Sequence, residues 1–175
     1  MRNQKQRVQM IANKHICRGI MKPVLLFDLA FTMLYPIKQD YSGELNALHK
    51  TLSEKGAYDF FSQFYLDEDM LAKIREVKPR YETFIFTSGT IQNAPELKPK
   101  LDLIFPKIFS ASEMGFSKQD PKAYKQIVLE LAVNGEEITF IDDSLANITA
   151  ARTAGLNIYH HKSSEDTQKY LSKLI

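Results

Sequence analysis

The stretch Val24-Leu25-Leu26-Phe27-Asp28-Leu29-Ala30-Phe31-Thr32 decides how the rest of the chain is read. An apolar run of strand length ends in a single carboxylate, and in open α/β sheets ligands bind at the carboxyl edge of the strands. A second edge of this kind comes late in the chain, at Ile138-Thr139-Phe140-Ile141-Asp142-Asp143. Adjacent like charges at a strand end are costly without a cation, so two strands delivering acid to one rim point to a divalent metal site.

Outward from these two runs, the pattern alternates strands and helices. After the first strand, 41–55 reads as one helix with Leu45, Leu48 and Leu52 on one face and Gly56 as its stop. An aromatic stripe follows, with Tyr58, Phe60, Phe61, Phe64 and Tyr65, and it reads as packing rather than as a recognition surface. Asp67 is placed to cap a helix through Met70, Leu71, Ile74 and Val77, which Pro79 ends. A second strand is expected at 81–87, terminating in Thr87-Ser88-Gly89-Thr90. Pro95 and Pro99 bracket a short helical segment, and 107–111 is a third strand. Asp120 as N-cap and Pro121 at the first helical position start a helix to about residue 133, with Asn134-Gly135 as its stop. Lys118 is thereby held just outside a helix N-terminus, where anions bind. A fourth strand at 138–142, a helix at 145–154 closed by Gly155, a fifth strand at 157–160 and a terminal helix complete the chain. This alternation predicts an α/β fold with a doubly wound parallel sheet and a small helical insertion after the first strand.

The 175 residues suit one domain with such an insertion. Its expected organisation is a basic N-terminal extension at 1–21, a core at 22–36 and 67–175, and the insertion at 37–66. The extension carries Val8, Ile11, His15 and Ile16 at roughly helical spacing, and residues 1–20 hold five Lys or Arg and no acid. The remainder has 18 basic against 21 acidic residues, so nothing in the body predicts nucleic-acid binding. No apolar run approaches the roughly 20 residues of a membrane-spanning helix. The lone Cys17 excludes an intramolecular disulfide and a multi-cysteine metal cluster, and a cytoplasmic location is expected. His15, His160 and His161 show no ligand spacing and are expected at the surface.

Four strand-end features can meet on one rim: Asp28, Thr87 with Ser88, Lys118, and Asp142 with Asp143. Oxygen donors without His or Cys favour magnesium over zinc. A cation, a lysine and hydroxyls around one carboxylate suit a phosphoryl group, carried by a small molecule or exposed on a larger substrate. A phospho-accepting receiver domain is also a parallel α/β unit with acids and a lysine. There the acidic pair follows the first strand, whereas here the single acid comes first and the pair fourth.

The arrangement resembles the haloacid dehalogenase superfamily of aspartate-nucleophile hydrolases, mostly phosphatases with a Rossmannoid core. The resemblance rests on Phe27-Asp28-Leu29 with Thr32-Met33-Leu34, and on Phe140-Ile141-Asp142-Asp143-Ser144 with Asn147, Ala150, Ala151 and Gly155. Thr87 stands at the family's Ser/Thr position, and Lys118-Gln119-Asp120-Pro121 matches its Lys-Pro-x-Pro element apart from Gln119. The resemblance implies that Asp28 is the nucleophile and a magnesium ligand. It implies that Thr87 and Lys118 hold phosphoryl oxygens, that Asp143 is the principal metal carboxylate supported by Asp142, and that the Ala30 carbonyl completes the set. The insertion would be a minimal helical cap, leaving the site open to larger substrates or covered by another subunit.

One residue departs from that pattern. Family phosphatases carry a second aspartate two positions after the nucleophile, which protonates the leaving group and activates water; here Ala30 stands in that place, followed by the bulky Phe31. Three readings follow: a weakened phosphohydrolase, assisted by His49, Glu44 or Glu54 of the insertion; an enzyme cleaving phosphorus–carbon or carbon–halogen bonds, with Lys50 or Lys55 in place of an imine-forming lysine; or a non-catalytic binding protein.

Overall fold

The computed structural model describes residues 22–175, so the basic extension with its helical spacing, His15 and Cys17 lies outside the described residues. Strand β1 (Val24–Phe27) occupies the middle of a five-stranded parallel sheet. Around it lie β4 (Glu82–Thr87), β5 (Ile108–Ser110), β6 (Ile138–Asp142) and β7 (Asn157–His160), in the order β5-β4-β1-β6-β7. Leu26 pairs in register with Phe84 of β4 and with Phe140 of β6. All four residues of β1 are buried, because both faces of the sheet are covered. Alternation along the strand sends Leu25 and Phe27 to one core and Val24 and Leu26 to the other. The first core packs against α2 (Glu68–Val77), α3 (Lys98–Asp102) and α6 (Ser164–Ser172) through Leu71, Ile74, Leu101 and Leu171. The second packs against α4 (Pro121–Leu131) and α5 (Leu145–Thr153) through Ala123, Ile127, Ile148 and Ala151.

The five expected strands are present with bounds moved by no more than one or two residues, and the caps are where local chemistry puts them. Asp67 accepts from Met70 N at 2.9 Å and Asp120 from Lys122 N at 2.9 Å, with Pro121 opening α4. The insertion departs further. Its helix, α1 (Leu45–Glu54), begins after residue 44 rather than at 41, and the Tyr41 hydroxyl donates to Glu44 O across the lead-in. Two three-residue strands, β2 (Leu34–Pro36) and β3 (Phe64–Leu66), form an antiparallel ribbon that the sequence pattern did not reveal. Runs so short carry no readable period. Within the aromatic stripe, Phe60 and Phe64 stack with centroids 4.6 Å apart and are fully buried, whereas Tyr65 is 49% exposed. Pro99 does not end a segment opened by Pro95. It sits in the first turn of α3, where its missing N–H leaves no hydrogen bond unmade.

A second correction concerns His161, which is 4% exposed rather than on the surface. Its backbone N–H donates to Asp142 O at 2.9 Å, extending the β6–β7 ladder by one residue and drawing the chain under the ribbon. The ring then meets the Tyr35 hydroxyl through Nε2 (3.2 Å) and Thr167 Oγ1 through Nδ1 (2.8 Å). Nearby, Asp67 accepts from the Ser164 hydroxyl as well as from Met70 N, tying the end of β3 to α6. Asp67→Ala strands both donors in a buried setting, and it is expected to lower unfolding stability in urea by about 1–2 kcal/mol; an unchanged midpoint would show the cap to be idle. No helix among the described residues is long and apolar enough to cross a membrane.

Candidate functional site

Asp28 directly follows β1, and its backbone N–H donates to Ile141 O at 2.8 Å, which seats it beside the end of β6. Asp142 is the last residue of β6 and Asp143 the next. One carboxylate oxygen from each of the three lies within 4.8 Å of the others. Lys118 reaches into this group from the loop before α4. Its Nζ stands 2.6 Å from Asp28 Oδ1 and 2.7 Å from Asp142 Oδ2, as charge contacts without the alignment of a hydrogen bond. The lysine is 3% exposed and Asp142 fully buried. Phe86 and Phe140 form the apolar floor, with centroids 5.6 and 5.4 Å from Nζ. The buried Tyr124 hydroxyl is 2.7 Å from Lys118 O, close enough to hold that loop in place.

Asp142 has little acceptor capacity left over. Asn147 Nδ2 donates to both of its oxygens at 3.1 Å and Ser144 N donates to Oδ1 at 2.7 Å. The start of α5 is therefore secured by Asp142 and not by the Ser144 side chain, which makes no capping bond. Asp143 is only half-buried, and the His160 ring contacts its backbone carbonyl rather than its carboxylate. On the β4 side, Thr87 is fully buried and its Oγ1 has no hydrogen-bond partner among the described residues, while Ser88 is exposed. Ala30 is half-buried, and Phe31 beyond it takes a left-handed backbone with φ of 56°.

The electrostatics follow from burial. Desolvation raises the Asp28 carboxyl above its ordinary range, opposed by Lys118 and reinforced by Asp142. Burial alone would lower Lys118, but Asp28 and Asp142 more than reverse this, so the ammonium is held above its ordinary value. Asp143 is raised, by burial first and Asp142 second. One ammonium against three carboxylates leaves the cluster short of positive charge. A hard divalent cation matches both the deficit and the all-oxygen donor set.

The expected residues Asp28, Lys118, Asp142 and Asp143 thus come together at one rim, with Thr87 and Ser88 at the end of the neighbouring strand. The candidate helpers divide. His49, Lys50 and Glu54 line a cleft of about 540 Å³ between α1 and Gly89-Thr90, whereas Glu44 and Lys55 do not. His49 Nδ1 is bound to the Tyr58 hydroxyl at 2.5 Å, and burial lowers its pKa. Sequence reasoning missed Tyr124 as the residue set against the Lys118 carbonyl and gave Asn147 no role. Asn147 lies five positions after Asp142, a spacing that a helix starting at Leu145 turns back toward the strand end.

The sequence profile of the haloacid dehalogenase-like hydrolases matches residues 19–155. The chain belongs to that family. Solved haloacid dehalogenase structures share the fold at low identity. A subfamily IA hydrolase from Geobacter sulfurreducens superposes with a TM-score of 0.63 at 15% identity, over 85% of this chain and 99% of its own. A haloacid dehalogenase family enzyme from Bacteroides thetaiotaomicron, crystallised with magnesium and inorganic phosphate, gives 0.57 at 16% identity over 82% and 95%. Among curated proteins, the drimenol cyclase of Aspergillus calidoustus is 31% identical over 72 residues. That match spans 41% of this chain and only 13% of the cyclase.

Proposed function

We propose that this chain is a magnesium-dependent phosphohydrolase of the haloacid dehalogenase type, acting through Asp28 on a phosphate monoester and lacking a positioned general acid and base. The observation that carries the reading is the buried Asp28–Lys118–Asp142 group at the strand end next to Thr87, whose hydroxyl has no partner among the described residues. Asp28, Asp143 and the Ala30 carbonyl would hold the cation, with Asp142 in support. When bound, magnesium supplies positive charge to phosphoryl oxygens and to the carboxylate cluster.

The chain's own residues do the rest. An Asp28 carboxylate oxygen forms the bond to phosphorus as the bond to the leaving oxygen breaks, and the leaving group departs with the electron pair. Lys118 and Thr87 Oγ1 take phosphoryl oxygens. Water then attacks phosphorus, releasing inorganic phosphate and restoring the carboxylate. At position 30 a methyl group stands where a carboxyl would deliver the first proton and accept the second, so good leaving groups are favoured. The rest of the substrate lies toward the open cleft beside α1, which serves as a small cap; a phosphorylated small molecule or an exposed phosphoryl group on a larger partner fits an opening of this kind. Lys50 is a poor imine-forming lysine, because its side chain is 77% exposed and paired with Glu54. This disfavours phosphonate cleavage.

The test is a panel of phosphate monoesters and phosphonates with magnesium, run on wild type and Asp28→Asn. Phosphomonoester hydrolysis is expected in wild type and at background in the variant. Equal rates would contradict attack by Asp28, and an inert wild type that still binds magnesium would move the non-catalytic binding reading ahead.

A further inference from the structure

The loop that follows β4 is held from two sides, and only one of them belongs to the sheet. Its carbonyls are secured by β5 and its continuation: Ala111 N donates to Thr87 O at 2.9 Å, Ser112 N to Ser88 O at 3.1 Å, and Ser110 Oγ to Gly89 O at 2.7 Å. Its amides are secured from the insertion. Asn46 Oδ1, on the second residue of α1, accepts from both Thr90 N and Ile91 N at 2.9 Å. The approach is close enough that a side chain at position 89 would displace the Asn46 amide. A Cβ on Gly89 would lie 2.5 Å from Asn46 Cγ, although Gly89 has no positive φ that would itself call for glycine.

We propose that Asn46 is a positioning residue for the phosphoryl-contacting segment 87–90, so that the insertion sets the geometry in which Thr87 and Ser88 meet a phosphoryl group. This rests on the reading of the Asp28 site given above. Three carbonyls of the loop are fixed whether or not Asn46 is present. Its loss removes one of two anchors from each of the Gly89–Thr90 and Thr90–Ile91 peptide units, which keep Ser110 Oγ on Gly89 O and Asn93 N on Thr90 O, so these units gain freedom to tilt without the strand moving. Ile91 is fully buried, whereas Thr90 is exposed. If Asn46 merely docked α1, its removal would lower stability and leave phosphate affinity untouched.

The experiment is titration calorimetry of the full chain with inorganic phosphate at saturating magnesium, on wild type, Asn46→Ala, Gly89→Ala and the double variant. Each single variant is expected to weaken phosphate binding about tenfold, the scale of one or two hydrogen bonds lost. Magnesium affinity measured without phosphate should be unchanged. The double variant should be no weaker than Asn46→Ala, because the three atoms nearest to a methyl at position 89 all belong to the Asn46 amide. If Asn46→Ala does not fold, Gly89→Ala decides the matter from the other side of the contact. Wild-type phosphate affinity in both single variants, or additive losses in the double variant, would overturn the proposal and leave the Asp28 reading intact. A wild type that binds no phosphate would instead defeat that reading, and this proposal with it.

Discussion

Ala30→Asp is expected to raise turnover of a phosphate monoester by about 10²–10⁴-fold, the usual contribution of a positioned general acid and base. For alkyl esters the gain includes protonation of the leaving oxygen, whereas for p-nitrophenyl phosphate, which leaves without a proton, it comes from faster hydrolysis of the acyl phosphate alone. Two features make the position receptive. Ala30 is half-buried at the edge of the core, and Phe31 already turns the backbone through a left-handed residue. A new carboxylate beside Asp28 and Asp143 adds charge repulsion, so the variant should also depend more steeply on magnesium. Unchanged rates on alkyl esters, in a folded variant that binds magnesium, would mean that the missing carboxylate is not what limits the wild type.

Lys118→Met is expected to destabilise the magnesium-free protein by about 3–5 kcal/mol, because removing one partner of a buried ionic group leaves uncompensated charge behind. Lys118 is the cation between two carboxylates whose side chains are 8% and 0% exposed, and methionine keeps the packing on Phe86 and Phe140. The loss has a direction in pH. Asp28 already has a folded pKa above its unfolded value, and without the lysine it rises further. The stabilising protonated form is present in acid and lost as pH rises through that folded pKa, so the deficit should be larger at about pH 8 than at about pH 5. Urea unfolding in chelator at both values measures it, and adding magnesium should recover part of the stability. A variant as stable as wild type at alkaline pH would show that Lys118 does not balance these charges.

What the sequence discloses is whatever a strand's own residues encode. The apolar runs before Asp28 and Asp142 marked β1 and β6, and the rule that parallel strands share a carboxyl rim brought Asp28, Lys118 and the acidic pair together without any knowledge of their contacts. The difference in surroundings between Asp142 and Asp143 was not legible from their adjacency. It comes from burial: Asp142 is enclosed and occupied by Lys118, Asn147 and Ser144 N, while Asp143 is left half-open. The β2–β3 ribbon escaped because strands of three residues have no period to read. His161 read as a surface histidine because nothing local announces that the chain folds back over Tyr35 and Thr167. Asn46 was invisible for the same reason, since its partners lie 44 and 45 positions away.

The proposed attack by Asp28 makes a covalent prediction that can be tested directly. With no carboxylate at position 30 to activate water, the acyl phosphate on Asp28 should form from an activated ester faster than it is hydrolysed. Intact-mass measurement of wild type mixed with p-nitrophenyl phosphate and magnesium should show a phosphate adduct, mapped by peptide analysis to Asp28, with a matching burst of nitrophenol. Ala30→Asp should clear the adduct quickly, and Asp28→Asn should show none. An adduct on another residue, or nitrophenol released by wild type and Asp28→Asn alike, would contradict attack by Asp28.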